Sequence, residues 1–191
     1  MLTSDELIKE ISAAIVKLKV VKLRAIIKKQ QFSVKDLIDI TFHPDKDIAF
    51  RAAWILENLF LQKPESYLDQ TAYLISRIKE VENPGCKRHY AKIIMHITSP
   101  KAPLSIKQKL AEIDLGPVVE QLFDWMINPK VLIAVKVFAA QALFNVRERY
   151  PWIAEELESQ LRFLMQNGSA AIQTRGRKLL NSLAQPKSSL K

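Results

Sequence analysis

Three residues in one short segment, Cys86, His89 and His96, have side chains that commonly bind metals. Cys86 and His89 lie three residues apart, so a helix would place both on one turn, and His96 lies two turns further on. Zinc usually takes three or four protein ligands, and no second cluster of ligands completes this one. We therefore predict no metal site, and instead the start of a helix at which His89 is solvated.

Acid–base chemistry would require carboxylates such as Glu120 and Asp124, which lie four residues apart and share one face of a predicted helix. The sequence has no GxSxG nucleophile motif, no Walker motif, no glycine-rich phosphate loop and no dinucleotide fingerprint. Because these motifs are absent, the sequence gives no indication of a cofactor. Their absence favours binding over catalysis, although it leaves enzymatic activity open.

The clearest pattern is a repeat, formed by segments that align by their apolar and small residues. The segments are residues 50–59, 88–97, 137–146 and 174–183. One equivalent position in them is occupied by Ala53, Ala91, Ala140 and Arg177. Successive segments begin 38, 49 and 37 residues apart, so two spacings agree and the third indicates an insertion. A period near 40 residues is typical of helix-pair repeats.

Apolar residues recur at helical spacing along the rest of the chain, and no strand-like alternation persists. Nine prolines, most of them between these runs, and only 4 glycines fit helices joined by short turns. We predict an all-α chain of about ten or eleven helices, with a single domain at 1–184. Residues 1–32 would form capping helices, 33–184 about four helix pairs with an insertion near 99–115, and 185–191 a flexible tail.

Residues 47–56 carry residue types found in the second helix of a HEAT unit. Asp47 and Arg51 lie four apart and can pair, while Ala52 and Ala53 let neighbouring helices approach closely. Over roughly 33–183 the chain resembles the HEAT/armadillo-like repeat superfamily, as a small stand-alone member of the bacterial type. The resemblance implies a right-handed α-solenoid of stacked antiparallel helix pairs, whose second helices line a concave face.

Basic residues of these second helices would lie on or beside the concave face, where we expect non-catalytic binding of a protein segment or helix. Trp54 takes a repeat position that is polar in the other units, which indicates partial exposure and a role as an apolar anchor. The alternative is that the charges are solvated or paired within their helices. The predicted contacts are Arg51, Trp54, Arg88, Lys92, Arg175 and Lys178.

A second interpretation is nucleic-acid binding, because a positively charged groove attracts a phosphate backbone. HEAT-like folds include DNA-binding enzymes that excise alkylated bases with an acid beside aromatic side chains. The resemblance makes Glu120 and Asp124 weak candidates for that acid, with Trp125 and Trp152 as stacking surfaces. The plainer alternative places Trp125 in the core and both acids in water. A third interpretation is a structural subunit that oligomerises through its end helices.

The composition suggests the setting in which the protein acts. A net charge of +9, from 29 Lys and Arg against 20 Asp and Glu, favours an acidic partner. A single cysteine cannot form an intramolecular disulfide and favours a reducing compartment. No secretory signal is visible, and the longest apolar stretch, 131–146, is too short and too polar to span a bilayer. We predict a cytoplasmic protein whose partner is a protein or, alternatively, a nucleic acid, without membrane association.

Overall fold

A computed structural model describes residues 1–13, 26, 29 and 31–185. Within these ranges the chain forms ten α-helices, two short 3-10 turns and no strand. The α-helices are α1 (Ser4–Ala13), α2 (Val34–Ile40), α3 (Lys46–Gln62), α4 (Leu68–Ser76), α5 (Pro84–Ile97), α6 (Leu104–Ala111), α7 (Gly116–Ile127), α8 (Ile133–Val146), α9 (Trp152–Gln166) and α10 (Ala170–Ala184), and the 3-10 turns are Pro64–Tyr67 and Ile78–Glu80. Most of the second predicted capping helix and most of the predicted tail lie outside the described residues.

Short polar side chains explain where several helices begin. At α1 the backbone N–H of Glu6 donates to the Thr3 hydroxyl, and the carboxylate of Glu6 accepts the backbone N–H of Thr3. Asp45 accepts two backbone N–H groups at the start of α3, and Asn83 accepts one at the start of α5. These caps satisfy donors that the first turn of a helix leaves without intrahelical partners.

Four helices that contain the repeated segments pack side by side in the order α3, α5, α8, α10, and we call them the second-helix row. Other helices pack on members of this row: α1 and α2 pack on α3, α7 on α8, and α9 on both α8 and α10. The repeat found in the sequence therefore matches the packing order of the helices.

Small buried residues let the row pack closely. Ala53, Ala91 and Ala140 of the shared repeat position are all buried, while Arg177 at the row's end is exposed. Gly176 of α10 serves a different contact, since it is buried against Met165 of α9, where an added Cβ would overlap the sulfur of that side chain. One hydrophobic cluster runs from Leu7 of α1 to Leu179 of α10, so every unit contributes to a continuous core.

The long interval between the second and third repeats contains α6, which lies within the region 99–115 where the sequence predicts an insertion. This helix packs on α4 and on the Pro64–Tyr67 turn, away from the second-helix row. The helices α5 and α8 are therefore direct neighbours although this long interval separates them in the sequence.

Candidate binding surface

One repeat position in the second-helix row supplies polar side chains that reach back to the preceding helix. The guanidinium of Arg51 donates to the carbonyl oxygen of Ile11 in α1, at 3.4 Å. In the last unit, the guanidinium of Arg175 donates to the amide oxygen of Gln141 in α8, at 2.7 Å. His89 fills the same position in α5 and contacts α3, whereas Phe138 fills it in α8. The position thus links neighbouring units in three of four cases.

At the α3–α5 junction this link is an ionic cluster around Glu57. The two oxygens of its buried carboxylate lie 2.6 Å from Nδ1 of His89 and 2.6 Å from Nζ of Lys92. Burial raises the pKa of Glu57, but hydrogen bonds from His89 and Lys92 outweigh it and hold that pKa below the ordinary value of 4.5. The carboxylate is therefore ionised at neutral pH, and it positions two side chains of the next helix.

The prediction that His89 is solvated is wrong. Its side chain is 1% exposed, and the ring of Phe50 packs over it with the ring centroids 5.0 Å apart. No described group bonds its Nε2 atom. The burial follows from Glu57, which supplies an acceptor on the facing helix and so makes an interior histidine tolerable.

At the α8–α10 junction the link continues as a chain of amide groups. The Gln141 amide donates to the side-chain oxygen of Asn145 at 3.0 Å. The Asn145 amide in turn donates to the backbone oxygen of Met95 at 3.1 Å and reaches the hydroxyl of Thr98 at 3.3 Å. Together with the bond from Arg175, these contacts connect α10, α8 and α5 along one face of the row.

An aromatic–basic patch lies over the α3–α5 junction, and we define it as Phe50, Trp54, Arg88 and Lys92. Phe50 and Arg88 take one repeat position on neighbouring helices, and Trp54 and Lys92 take another, one turn further on. Phe50 is 41% exposed and Arg88 is exposed, while Trp54 and Lys92 are half-buried. No ion pair joins Arg88 to any residue in the described part of the chain. The patch therefore combines apolar surface with an unpaired positive charge.

The structure separates the predicted contacts into distinct groups. Trp54, Arg88 and Lys92 lie in the patch, whereas Arg175 and Lys178 lie on α10 at the far end of the row. Lys178 is exposed, and Arg175 is held by Gln141. Arg51 is not at the surface, since α1 covers it and leaves it 5% exposed, bonded to Ile11 and paired with Asp47 at 3.4 Å. Its guanidinium joins α1 to α3, so we leave it out of the proposed contacts.

The acidic candidates and the tryptophans do not come together as a base-excision site would require. Glu120 and Asp124 are both exposed, and the carboxylate of Glu120 pairs with Lys79 at 2.7 Å. Trp125 is buried in the core, and the indole of Trp152 stacks on the ring of Phe123. Neither carboxylate is thus buried beside an indole ring.

The metal-ligand candidates Cys86, His89 and His96 all lie on α5. Among the described residues no group of three or more histidine, cysteine, aspartate or glutamate side chains could hold a metal ion. Burial raises the pKa of the Cys86 thiol to about 12, which keeps it protonated.

None of the described helices combines the length and apolar character needed to cross a bilayer.

Sequence reasoning missed Phe50 and Glu57. A signal for Phe50 existed, because its repeat position holds Arg88 and Thr174 in two of the other three units, although it holds Val137 in the remaining one. Glu57 had no such signal, since Met95, Phe144 and Asn181 occupy its position elsewhere and share no property with it. Its role depends on which residues face it across the junction.

The repeat, the helix packing and the linked second helices together define a helical-repeat protein. The family model for the HEAT repeat domain matches residues 7–183. The chain therefore belongs to the HEAT repeat family, as its resemblance in sequence predicted. No curated protein gives a significant match to the chain, and no solved structure does.

Proposed function

We propose that this protein is a non-catalytic binding protein whose aromatic–basic patch holds an acidic, partly apolar helix or segment of a partner protein. HEAT repeats are generally scaffolds for protein interactions, which supports a protein as the partner. The observation that carries the proposal is the patch itself, where two aromatic rings and two cations lie on neighbouring turns of α3 and α5. Its aromatic rings suit an apolar anchor on the partner, and Arg88 suits a carboxylate.

Rigid support under the patch favours tight binding. Lys92 is bonded to Glu57, and the Phe50 ring rests on His89, so both contact groups are held before a partner arrives. Side chains that are already ordered lose less conformational entropy when they are bound. An amphipathic helix would fit this arrangement, because its apolar and acidic side chains can meet successive turns of the patch.

The overall architecture that we propose is the one implied by the family. Antiparallel helix pairs would stack into a right-handed solenoid over residues 1–184 as one domain, with the second-helix row on its concave side. Arg175 and Lys178 would then extend the contact surface along the same side. The compartment that we propose is the cytoplasm, where a single buried thiol stays reduced.

Nucleic-acid binding is the second candidate, supported by the net charge of +9. A phosphate backbone would contact Arg88, Lys178 and Arg177, which are all exposed. The two proposals differ in what the aromatic residues do: a protein partner needs Phe50 and Trp54 as anchors, whereas a duplex contacted through phosphates needs only the charges.

Fluorescence anisotropy can test both candidates on the full chain. The probes are a labelled acidic amphipathic helical peptide, a scrambled peptide of the same composition, and a labelled DNA duplex. We expect the amphipathic peptide to bind more tightly than the scrambled one. The substitution Trp54→Ala should weaken binding of the amphipathic peptide by about thirtyfold, which is the effect of losing a contact that contributes about 2 kcal/mol.

A charge-reversal pair provides the matched control. Arg88→Glu should weaken peptide binding by about tenfold or more, and Lys101→Glu, at an exposed lysine outside the second-helix row, should not change it. Equal affinity for the two peptides, or equal effects of the two reversals, would contradict the proposal. Duplex binding that falls steeply with salt and is unchanged by Trp54→Ala would support the nucleic-acid candidate instead.

A further inference from the structure

A second surface lies where the turns of the last two units meet, and we call it the end groove. It is formed by the turn between α7 and α8, the start of α8, the end of α9 and the start of α10. Its volume is about 470 Å³, within the range of small ligand sites and enough for a few side chains. Gly168 lines it at the α9–α10 turn, where an added Cβ would overlap the carbonyl oxygen of Leu164.

The end groove exposes large apolar side chains. Leu132, Ile133 and Phe163 all line it, and they are 52%, 42% and 66% exposed. Single exposed apolar residues are common on protein surfaces, but a cluster around a cleft marks an interaction site. The three side chains offer a partner apolar area in one place.

Positive charge accompanies this apolar surface, and none of the residues that line the groove is acidic. Lys130 is exposed, and its ammonium group has no ion pair with any described residue. Lys136 is buried, its Nζ donates to the carbonyl oxygen of Met126 at 2.8 Å, and burial lowers its pKa. An ammonium group carries three donors, so Lys136 retains donors for an anion in the groove.

Helix ends add to this positive potential. The N-cap residues of α8 and α10, Leu132 and Ser169, both line the groove, and neither caps its helix through a side chain. Neither helix has an acidic residue in its first turn. Uncapped N-termini carry partial positive charge and backbone N–H donors, which favour a negatively charged group beside them.

The equivalent groove between the first two units has the opposite character. It has a volume of about 430 Å³ and lies between the turns that precede α3 and α5. Glu80 and Glu82 line it, and side chains of Asp45 and Asn83 cap the two helices that start there. A groove of the same size and place is therefore acidic and capped in the first units, so the features of the end groove do not follow from the repeat.

Repeat positions show which residues make the difference. Ile133 of the end groove stands where the first groove has Lys46, and Lys136 stands where it has Ala49. An apolar residue thus replaces a charge at the rim, and an ammonium group replaces a methyl group at the base. Both changes favour a ligand that is apolar along its length and negative at one end.

We propose that the end groove binds the C-terminal segment of a partner protein, with the free carboxylate at Lys136 and the two helix N-termini and the last apolar side chains against Leu132, Ile133 and Phe163. The limited volume favours a chain end over a long helix. This surface lies at the turns of the units and is separate from the aromatic–basic patch, so the two sites can be tested independently.

A pair of labelled peptides tests this proposal by fluorescence anisotropy. One is a short peptide that ends in two leucines with a free carboxylate, and the other is the same peptide with a C-terminal amide. We expect the acid to bind at least fivefold more tightly than the amide, because only the acid meets the uncapped helix ends and the lysines. Leu132→Ser and Phe163→Ser should each weaken binding of the peptide acid by about tenfold, which is the effect of losing about 1.4 kcal/mol of apolar contact.

Matched variants distinguish binding at this site from non-specific binding of the peptide elsewhere on the surface. Leu104→Ser removes an exposed leucine from α6, away from the groove, and Lys101→Glu reverses a lysine outside it. Both should leave binding unchanged, while Lys130→Glu should weaken it severalfold. Because all of these residues are exposed, the variants should fold normally, as thermal unfolding would verify.

Several outcomes of the peptide measurements would overturn the proposal. They are absence of binding at millimolar peptide, equal binding of acid and amide, and equal effects of Leu132→Ser and Leu104→Ser. Arg88→Glu provides the last comparison: it should weaken binding of the amphipathic helical peptide and leave binding of the C-terminal peptide unchanged. If Arg88→Glu abolished binding of both peptides, the C-terminal peptide would bind at the patch, which would contradict a separate groove.

Discussion

The α3–α5 junction and the α8–α10 junction solve the same structural problem with different chemistry. At α3–α5 a buried carboxylate binds a histidine and a lysine, and an exposed ring covers the cluster. At α8–α10 an arginine binds an amide that is only half-buried. The repeat thus determines where units are linked, whereas local residues determine how strong and how pH-sensitive each link is.

This difference affects stability because burial changes the cost of losing a partner. When one member of a buried ionic cluster is removed, the remaining polar groups lose both solvent and partner. When a half-exposed amide is removed, water replaces it. We therefore expect substitutions at the α3–α5 junction to lower the free energy of unfolding by more than substitutions at the α8–α10 junction.

The largest expected effect comes from Glu57→Ala. We expect the free energy of unfolding to fall by about 3 kcal/mol, because His89 and Lys92 lose the acceptor that holds them. Urea unfolding measures this loss. Glu82→Ala, at an exposed glutamate, serves as the control and should change stability by less than about 0.5 kcal/mol. Equal losses for the two variants would show that the buried cluster around Glu57 contributes no more to stability than an exposed glutamate does.

The pH dependence of stability tests the same cluster without removing its volume. The folded pKa of Glu57 lies below 4.5, so its contribution is present above that pH and is lost as the pH falls through the folded value. Glu57→Gln lacks this titration. We expect the stability gap between the wild type and Glu57→Gln to shrink as the pH falls below 4.5. A gap that stays constant as the pH falls below 4.5 would show that folding does not lower the pKa of Glu57.

A smaller effect is expected at the other junction, from Arg175→Ala. Loss of its bond to Gln141 should lower the free energy of unfolding by about 1 kcal/mol, as for a typical hydrogen bond. A double-mutant cycle with Gln141→Ala would isolate the coupling between the two side chains. A coupling as large as that between Glu57 and His89 would mean that burial does not distinguish the junctions.

The fold was predictable from the sequence because it depends on regular features. Apolar periodicity gave the helices, and recurring small residues gave the register of the second-helix row. Trp54 could be identified as half-exposed from the same register, since the equivalent positions are polar.

The details of the site depended on contacts between distant parts of the chain. Arg51 lies beneath α1 through a bond that spans 40 residues of sequence, which no repeat position reveals. Glu57 acts through partners on the next helix, and the end groove forms only where two turns meet. Such features combine residues from separate units, so a register that treats units as equal does not predict them.

Fluorine NMR of the protein labelled with 5-fluorotryptophan tests the central claim, that the aromatic–basic patch is the binding surface. The three tryptophans report on different places: Trp54 lies in the patch, Trp125 in the core, and Trp152 outside the second-helix row. Titration with the acidic amphipathic peptide should shift the Trp54 resonance at a concentration that matches the anisotropy curve, and it should leave the other two unchanged. A shift of Trp152 with an unchanged Trp54, or saturated binding without any shift of Trp54, would contradict the proposed binding surface.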